Sequence, residues 1–301
     1  MRQTTKIASI GMIIAIFSAA GCSTASGGKS LESKKEPSVS SFPAVENPKD
    51  LSFPLDKYRL LADNTGRRTV ASATKILRTD CMKRFGFDFH DAETTAPLDF
   101  SHARLYGVAD KRTASLYGYH NPNAISTPKK QASGLTPSAE AVLVGDVNQY
   151  KGIDVPKGGC AGDTARKLHR GSPGMSRESS QLPDRLIIDA SQRSQTDSRV
   201  KKVFERWSTC MKESGYQYAD PATVLRDPRF AQSGQPNQEE IATAQADVSC
   251  KKKYNVIGIW SAVESAYQRR LVEENQLILS KIESDISAQI KNASKVIGAE
   301  G

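Results

Sequence analysis

The sequence predicts an α+β fold that is mainly helical, loop-rich and stapled by disulfides, with a long amphipathic helix towards its C-terminal end. Three observations carry that expectation. Apolar residues recur at three- and four-residue spacing in three long segments, a helix-stop motif occurs twice, and the body of the chain holds four cysteines. With 38% hydrophobic and 25% charged residues among 301, the composition suits a chain that buries a core. No stretch reaches the roughly 20 apolar residues of a membrane span.

The first element lies outside any core. Arg2 and Lys6 form a short positive end, the apolar run Ile7 to Ala20 follows, and Ala19-Ala20-Gly21-Cys22 closes it. Residues 1–21 therefore read as a lipoprotein signal peptide, with small residues before the cleavage point and a diacylglycerol accepted by the Cys22 thiol. The first position of such a box usually carries Leu, Val or Ile, and Ala19 stands there. The plainer alternative is an ordinary secretory signal with Cys22 a bare thiol. Two acyl chains anchor stably where one is marginal, so the expected location is the outer face of the cytoplasmic membrane, within the cell envelope. Residues 22–50, rich in Ser, Gly, Lys, Glu and Pro, read as a lipidated flexible tether. As a random coil of about 26 residues, the part after Cys22 would reach roughly 30 Å.

The body reads as two halves, 51–180 and 181–301, meeting at the Gly-, Ser- and Pro-rich piece Arg170 to Leu182. In the first half Val70, Ala73, Ile76, Leu77 and Cys81 set a helical stripe over Thr69 to Phe85, with Gly86 at the C-cap position. The apolar runs Ala141 to Val144 and Leu186 to Ile188 read as short strands. In the second half Val200, Val203, Phe204, Trp207, Cys210 and Met211 line a helix over Asp197 to Ser214, with Gly215 beyond it. A third helical region begins near Gln238, is interrupted around Asn255 to Gly258, and continues to about Ile297. Trp260, Val263, Tyr267, Leu271, Ile278, Ile282, Ile286 and Ile290 keep its period. A stretch of that length is expected to bury its stripe by crossing the other helices or by pairing with a partner, with its distal part, Ser280 to Ile297, able to project from the body.

One motif repeats. Cys81-Met82-Lys83-Arg84-Phe85-Gly86-Phe87-Asp88-Phe89 matches Cys210-Met211-Lys212-Glu213-Ser214-Gly215-Tyr216-Gln217-Tyr218 in kind at six of nine positions. Each copy reads as a helix that ends at a left-handed glycine and sends two aromatics out on one face of an extended segment. One further cysteine follows each copy, Cys160 and Cys250. An even number of cysteines in an exported chain points to disulfides. Four cysteines allow three connectivities; the repeat favours Cys81 with Cys160 and Cys210 with Cys250. There is no C-x-x-C, and the spacings of 79, 50 and 40 residues match no zinc pattern.

The arrangement resembles a family of uncharacterised actinobacterial surface lipoproteins with two Cys-Met-x-x-x-Gly-aromatic repeats and four paired cysteines. The pieces that carry the resemblance are the two repeats, Arg104-Leu105-Tyr106-Gly107-Val108, Tyr117-Gly118-Tyr119-His120, Gly158-Gly159-Cys160 and Ala246-Asp247-Val248-Ser249-Cys250 before the Trp260 helix. The resemblance implies export, a lipid anchor and two cysteine pairs. It brings no activity and no functional residues.

No hydrolase or phosphate-loop motif occurs, and Ser26-Gly27-Gly28-Lys29, which spells S-x-x-K, falls in the tether. No catalytic residue, metal or cofactor is expected. The densest polar group, Asp88, His90, Asp91 and Glu93 with His102 and His120 downstream, reads as a solvated turn. Tyr106, Tyr117, Tyr119 and His120 concentrate aromatics and glycines in one loop region. They form the candidate ligand surface, a stacking platform for wall sugars, unless these side chains simply cover the core.

Loss of Arg2 and Lys6 lowers the formal charge from +9 to +7, so the mature chain stays basic. Anionic wall polymers, lipid headgroups or an envelope protein are the expected partners. Export and the lack of a basic stripe with interleaved aromatics set nucleic acid aside. The function class that fits is a non-enzymatic binding or interaction module; the alternative is a cell-envelope enzyme such as a wall hydrolase.

Overall fold

The computed structural model describes residues 35–60, 64–90, 102–122, 134–172, 174–231 and 235–299. The chain divides into a leading unit, Met1–Glu36, and a body, Pro37–Gly301. Cys22, Asp91 and Glu93 lie outside the described residues.

The body is helical almost throughout. In chain order its helices are α1 (Asn64–Arg84), α2 (Lys111–Tyr117), α3 (Pro137–Val144), α4 (Gly159–Leu168), α5 (Arg177–Ser180) and α6 (Leu182–Thr196). Then come α7 (Ser198–Glu213), α8 (Pro221–Val224), α9 (Pro228–Ala231), α10 (Gln238–Lys253), α11 (Val256–Glu274) and α12 (Gln276–Gly298). A first-turn backbone amide needs an acceptor, and polar caps supply it. The side chains of Asp110, Thr136, Asp197, Asp220 and Asn237 each accept from an amide in the turn they open. In α10, acids in the first turn and lysines in the last also complement the helix dipole.

The β content among the described residues is a two-residue antiparallel hairpin, β1 (Gln149–Tyr150) with β2 (Ile153–Asp154). Lys151 and Gly152 both have positive φ at its tip, the turn that matches strand twist. The strands expected at Ala141–Val144 and Leu186–Ile188 are turns of α3 and α6. Thr136 caps α3 and Pro137 fits its first turn, while in α6 Leu186 faces the core and Ile188 is 57% exposed, a helical rather than a two-sided pattern.

Both repeats stop their helices as expected. Gly86 and Gly215 have φ of +78° and +92°. Phe87 N donates to Met82 O at 3.2 Å and Gly86 N to Lys83 O at 2.9 Å; Tyr216 and Gly215 repeat this with Met211 and Lys212 at 2.9 and 3.0 Å. This is the Schellman pattern, which satisfies the last open carbonyls. The likeness extends further than the motif: Thr79 Oγ1 donates to Phe89 O and Ser208 Oγ to Tyr218 O, ten residues apart in each case. The disulfides are Cys81–Cys160 and Cys210–Cys250. Their partners differ in setting, since Cys160 sits on the first turn of α4 and Cys250 on the last turn of α10.

The main core gathers Val200, Val203, Trp207 and Met211 of α7 against Val256, Trp260, Val263, Tyr267 and Leu271 of α11, with the Cys210–Cys250 bridge at its edge. A smaller cluster of Met82, Phe85, Phe89, Val142 and Val155 surrounds Cys81–Cys160. The two halves drawn at residue 180 are not separate bodies. Phe53, Leu55, Tyr58 and Tyr106 from the first half are buried in the main core. The loop from Arg170 to Leu182 is pinned to α12, with Asn292 Nδ2 donating to Arg170 O at 2.8 Å.

The C-terminal helical region breaks at Asn255, whose φ is +51°, as expected, and again at Asn275, which was not foreseen. The Asn275 side chain turns back to Leu271 O at 2.8 Å, sharing the carbonyl that also accepts from the Asn275 backbone amide at 3.2 Å. Nor does the distal helix project. α12 packs most extensively on α1, where Ala73 and Ala293 are fully buried and let the two backbones approach, with Leu168 beside them.

The tether ends earlier than expected. From Pro37 the chain lies on the body as a strap through residue 60: Phe42 O accepts from Asn255 Nδ2 at 3.0 Å, and a Cβ at Gly258 would collide with Pro43 O. Val39, Val45 and Leu51 pack against the core. Isolated apolar residues spaced along an otherwise polar segment gave too weak a period to be read as docking.

Candidate functional site

The four candidate residues of the tyrosine loop do not share a face. Tyr106 is 2% exposed, its ring centroid 4.7 Å from that of Trp260, and its hydroxyl donates to Glu264 Oε2 at 2.9 Å. Its carbonyl and that of Val108 accept from Lys251 Nζ at 2.9 and 3.1 Å. Tyr119 turns towards α10 instead: its amide donates to Glu240 Oε1 at 2.7 Å and its ring stacks on Phe230. His120 Nδ1 lies 2.7 Å from the same Glu240 oxygen. Tyr117 closes α2 and is only half-buried. Gly118 between them has φ of +52°, and a Cβ there would strike the Glu240 carboxyl. Of the three rings that would build a stacking platform for sugars, Tyr106 lies in the core and Tyr119 packs against it. This loop is a clamp, tied to the body by polar groups that compensate for burying its backbone.

Those polar groups are the ones sequence reasoning passed over. Asp247 is fully buried and accepts from Trp207 Nε1 and Lys251 Nζ, each at 2.9 Å. Burial pushes its carboxyl up, against the pull of Lys251 and Trp207. Glu264 is 1% exposed and has Tyr106 on one oxygen and Gln268 Nε2, at 3.4 Å, on the other. Burial outweighs these two hydrogen bonds and pushes Glu264 up to about 7. One signal was present: Glu264 stands four residues after Trp260 on the apolar stripe itself.

Two of the remaining histidines are pins between distant segments. His102 Nε2 lies 3.0 Å from Asp56 Oδ2, and His169 Nδ1 lies 2.9 Å from Asp285 Oδ1. Ser172 Oγ donates to that same Asp285 oxygen. Burial works against the Asp285 charge, but the Ser172 and His169 bonds more than offset it and hold the carboxyl below its ordinary range. Serine, histidine and aspartate thus meet, yet both side chains bond to the acid, Ser172 N donates to His169 O at 3.0 Å, and among the described residues no side-chain hydrogen bond joins serine to histidine. A nucleophile relay requires that serine-to-histidine bond. Asp88 and His90 are exposed, 3.5 Å apart. Among the described residues, no group of three or more His, Cys, Asp or Glu gathers as a metal site.

A hollow lies elsewhere, between the strap and the α11–α12 junction. It is an open cleft of about 700 Å³. Ser52, Phe53, Asp56, Lys57 and Tyr58 form one wall, and Glu273, Gln276, Ser280 and Glu283 the other. Lys57 Nζ crosses it to Glu283 at 3.2 Å. The strap wall is held from behind, where Asp56 Oδ2 accepts from Phe53 N at 2.7 Å and Leu55 N donates to Gln268 Oε1 at 3.1 Å. Phe53 and Tyr58 are nearly buried, so the cleft offers hydroxyls, an amide and carboxylates more than aromatic faces. Among the described residues no helix is long and apolar enough to cross a membrane.

Compared with known protein families, with curated proteins and with solved structures, the chain shows no match.

Proposed function

We propose that the chain is an extracytoplasmic lipoprotein of the cell envelope, held to the outer face of the membrane by a diacylglycerol on Cys22, and that it acts as a non-enzymatic binding module. The observation that carries the binding half of this reading is the cleft of about 700 Å³, open to solvent and walled on one side by the strap that follows the anchor segment. An open groove suits a binder; catalysis favours an enclosed pocket with converging reactive groups. The two disulfides support an oxidising compartment. Asp56, Glu273 and Glu283 face a single lysine, Lys57, in the cleft. Its charge therefore favours a neutral or amino-bearing envelope component over the anionic wall polymer that the net charge alone suggested.

Two experiments test the halves separately. Cys22→Ser is expected to move the protein from the membrane fraction to the medium, or to leave an uncleaved precursor; a processed product still retained on membranes contradicts the anchor. Purified body lacking the lipid is expected to be retained by isolated envelope, and Ser280→Arg, which fills the cleft from an exposed position, to reduce that retention about tenfold, roughly 1.4 kcal/mol. Equal retention of the variant contradicts the cleft as the contact surface.

A further inference from the structure

The back of the strap rests on an acid that has no cation in contact with it among the described residues. Glu264 of α11 lies one helical turn from Gln268, and Gln268 is the residue that holds the strap, its Oε1 accepting from Leu55 N. The other oxygen of Glu264 is bonded to Tyr106, in the loop that follows the His102–Arg104 turn. Both segments cross α11 at this point, and Phe53 stacks edge-on against His102, joining them. The charged and titratable groups facing Glu264 come from each packed element. The strap brings Asp56 and the 102–106 turn brings His102, which are paired with each other at 3.0 Å, together with the Tyr106 hydroxyl. α10 brings Lys251, committed to Asp247 at 2.9 Å and to the Tyr106 and Val108 carbonyls. The α6–α7 junction brings Asp197, paired with Arg199 at 2.7 Å and accepting from Tyr267. His102, Lys251 and Arg199 are thus each paired with another acid, and Arg104, on the same turn as His102, donates to the Tyr119 carbonyl at 2.6 Å.

We propose that Glu264 is a proton-operated latch beneath the strap: protonated, it seats the strap and closes the back of the cleft, and on losing its proton it loosens residues 53–58 and reshapes the cleft wall. The chemistry follows from the contacts. A neutral carboxylic acid can bond to both Tyr106 and Gln268 without a counter-charge, whereas the carboxylate is a buried, unpaired charge that repels Asp56 and draws the Gln268 amide towards itself. The Gln268 carbonyl then turns away from Leu55 N, and the strap loses the bond that holds its centre. Burial that pushes Glu264 up to about 7 puts the change near neutrality. The proposal rests on the reading of the cleft as the contact surface only for its consequence; the motion of the strap is testable without any ligand.

The test is amide hydrogen exchange of the full chain between about pH 5.5 and about pH 8, corrected for the base-catalysed intrinsic rate. The opening constant of the Leu55 to Tyr58 amides is expected to rise about tenfold or more across that window in the wild type, since one pKa unit is a tenfold change in equilibrium. It should stay flat in Glu264→Gln, whose amide mimics the protonated acid towards Tyr106 and Gln268. Equal pH dependence in the two proteins, or none in the wild type, overturns the latch. If Glu264→Gln does not fold, carboxyl carbon resonances of the labelled wild type decide. One glutamate titrating near neutral pH in step with the strap amides upholds the latch, and all glutamates titrating below about pH 5.5 overturns it. Failure here leaves the envelope-retention result for Ser280→Arg untouched, so the latch and the cleft stand or fall separately.

Discussion

A charge taken out of water must find its counter-charge, and Asp247 finds Lys251 on the next turn of the same helix. Removing either partner strands the other: Asp247→Ala or Lys251→Met is expected to cost roughly 3–5 kcal/mol in denaturant unfolding, because the loss leaves an uncompensated buried charge. Replacing both with apolar residues is expected to cost less than the sum of the two. A cost under about 1 kcal/mol for either single change would mean that the pair is not buried. Glu264 works in the opposite sense to a paired acid. Folding raises it from 4.5 to about 7, so the folded chain holds this proton more tightly than the unfolded chain. Its contribution is fully present below about pH 4.5 and is lost as the pH climbs through 7, by about 3 kcal/mol at most. Thermal stability is expected to fall from mildly acid to mildly alkaline pH, and Glu264→Gln to be more stable than the wild type at about pH 8; the reverse order contradicts this. The repeat glycines were legible from sequence because a positive φ admits little else. Asp247, Lys251 and Glu264 were not, since an isolated charge on a helix reads as a solvated face until the opposing segment is known.

At the scale of elements, what could be read was what is local. The stripes of α1, α7 and α11 and the sharp stops at Gly86 and Gly215 follow from spacing within one turn or two. The misread elements are those whose type depends on a neighbour. Four apolar residues in a row at Ala141 to Val144 fit a strand or a buried helix turn equally, and the Thr136 cap with Pro137 decides for α3. Whether α12 packs in cis or on a partner is not legible in its own stripe, because α1, the surface that buries it, is some 200 residues away in sequence. The disulfides act on this same scale by closing long loops in the unfolded chain. Removing the Cys81–Cys160 pair or the Cys210–Cys250 pair, both residues to serine, is expected to cost about 4 kcal/mol each. The Cys210–Cys250 loss should loosen the main core, and the Cys81–Cys160 loss chiefly the cluster around Met82 and Val142. Unchanged denaturation midpoints in both double variants would contradict this.

For the whole molecule, the docked strap makes the body begin at Pro37, inside the 22–50 segment expected as a tether. Only fourteen residues separate Cys22 from Pro37. Fully extended they reach at most about 50 Å, and a random coil of that length spans only about 20 Å. The strap, the tyrosine loop and α12 each bring sequence-distant segments onto one body, which is why a division near residue 180 is absent from the fold. The cleft lies at the strap, the segment with which the body begins. The intact, unreduced mass of the protein taken from the membrane fraction tests this account most directly. The expected mass is that of a chain beginning at Cys22, carrying a diacylglycerol and lacking the four hydrogens lost in forming the Cys81–Cys160 and Cys210–Cys250 bridges. A chain with no acyl group and four free thiols would contradict it.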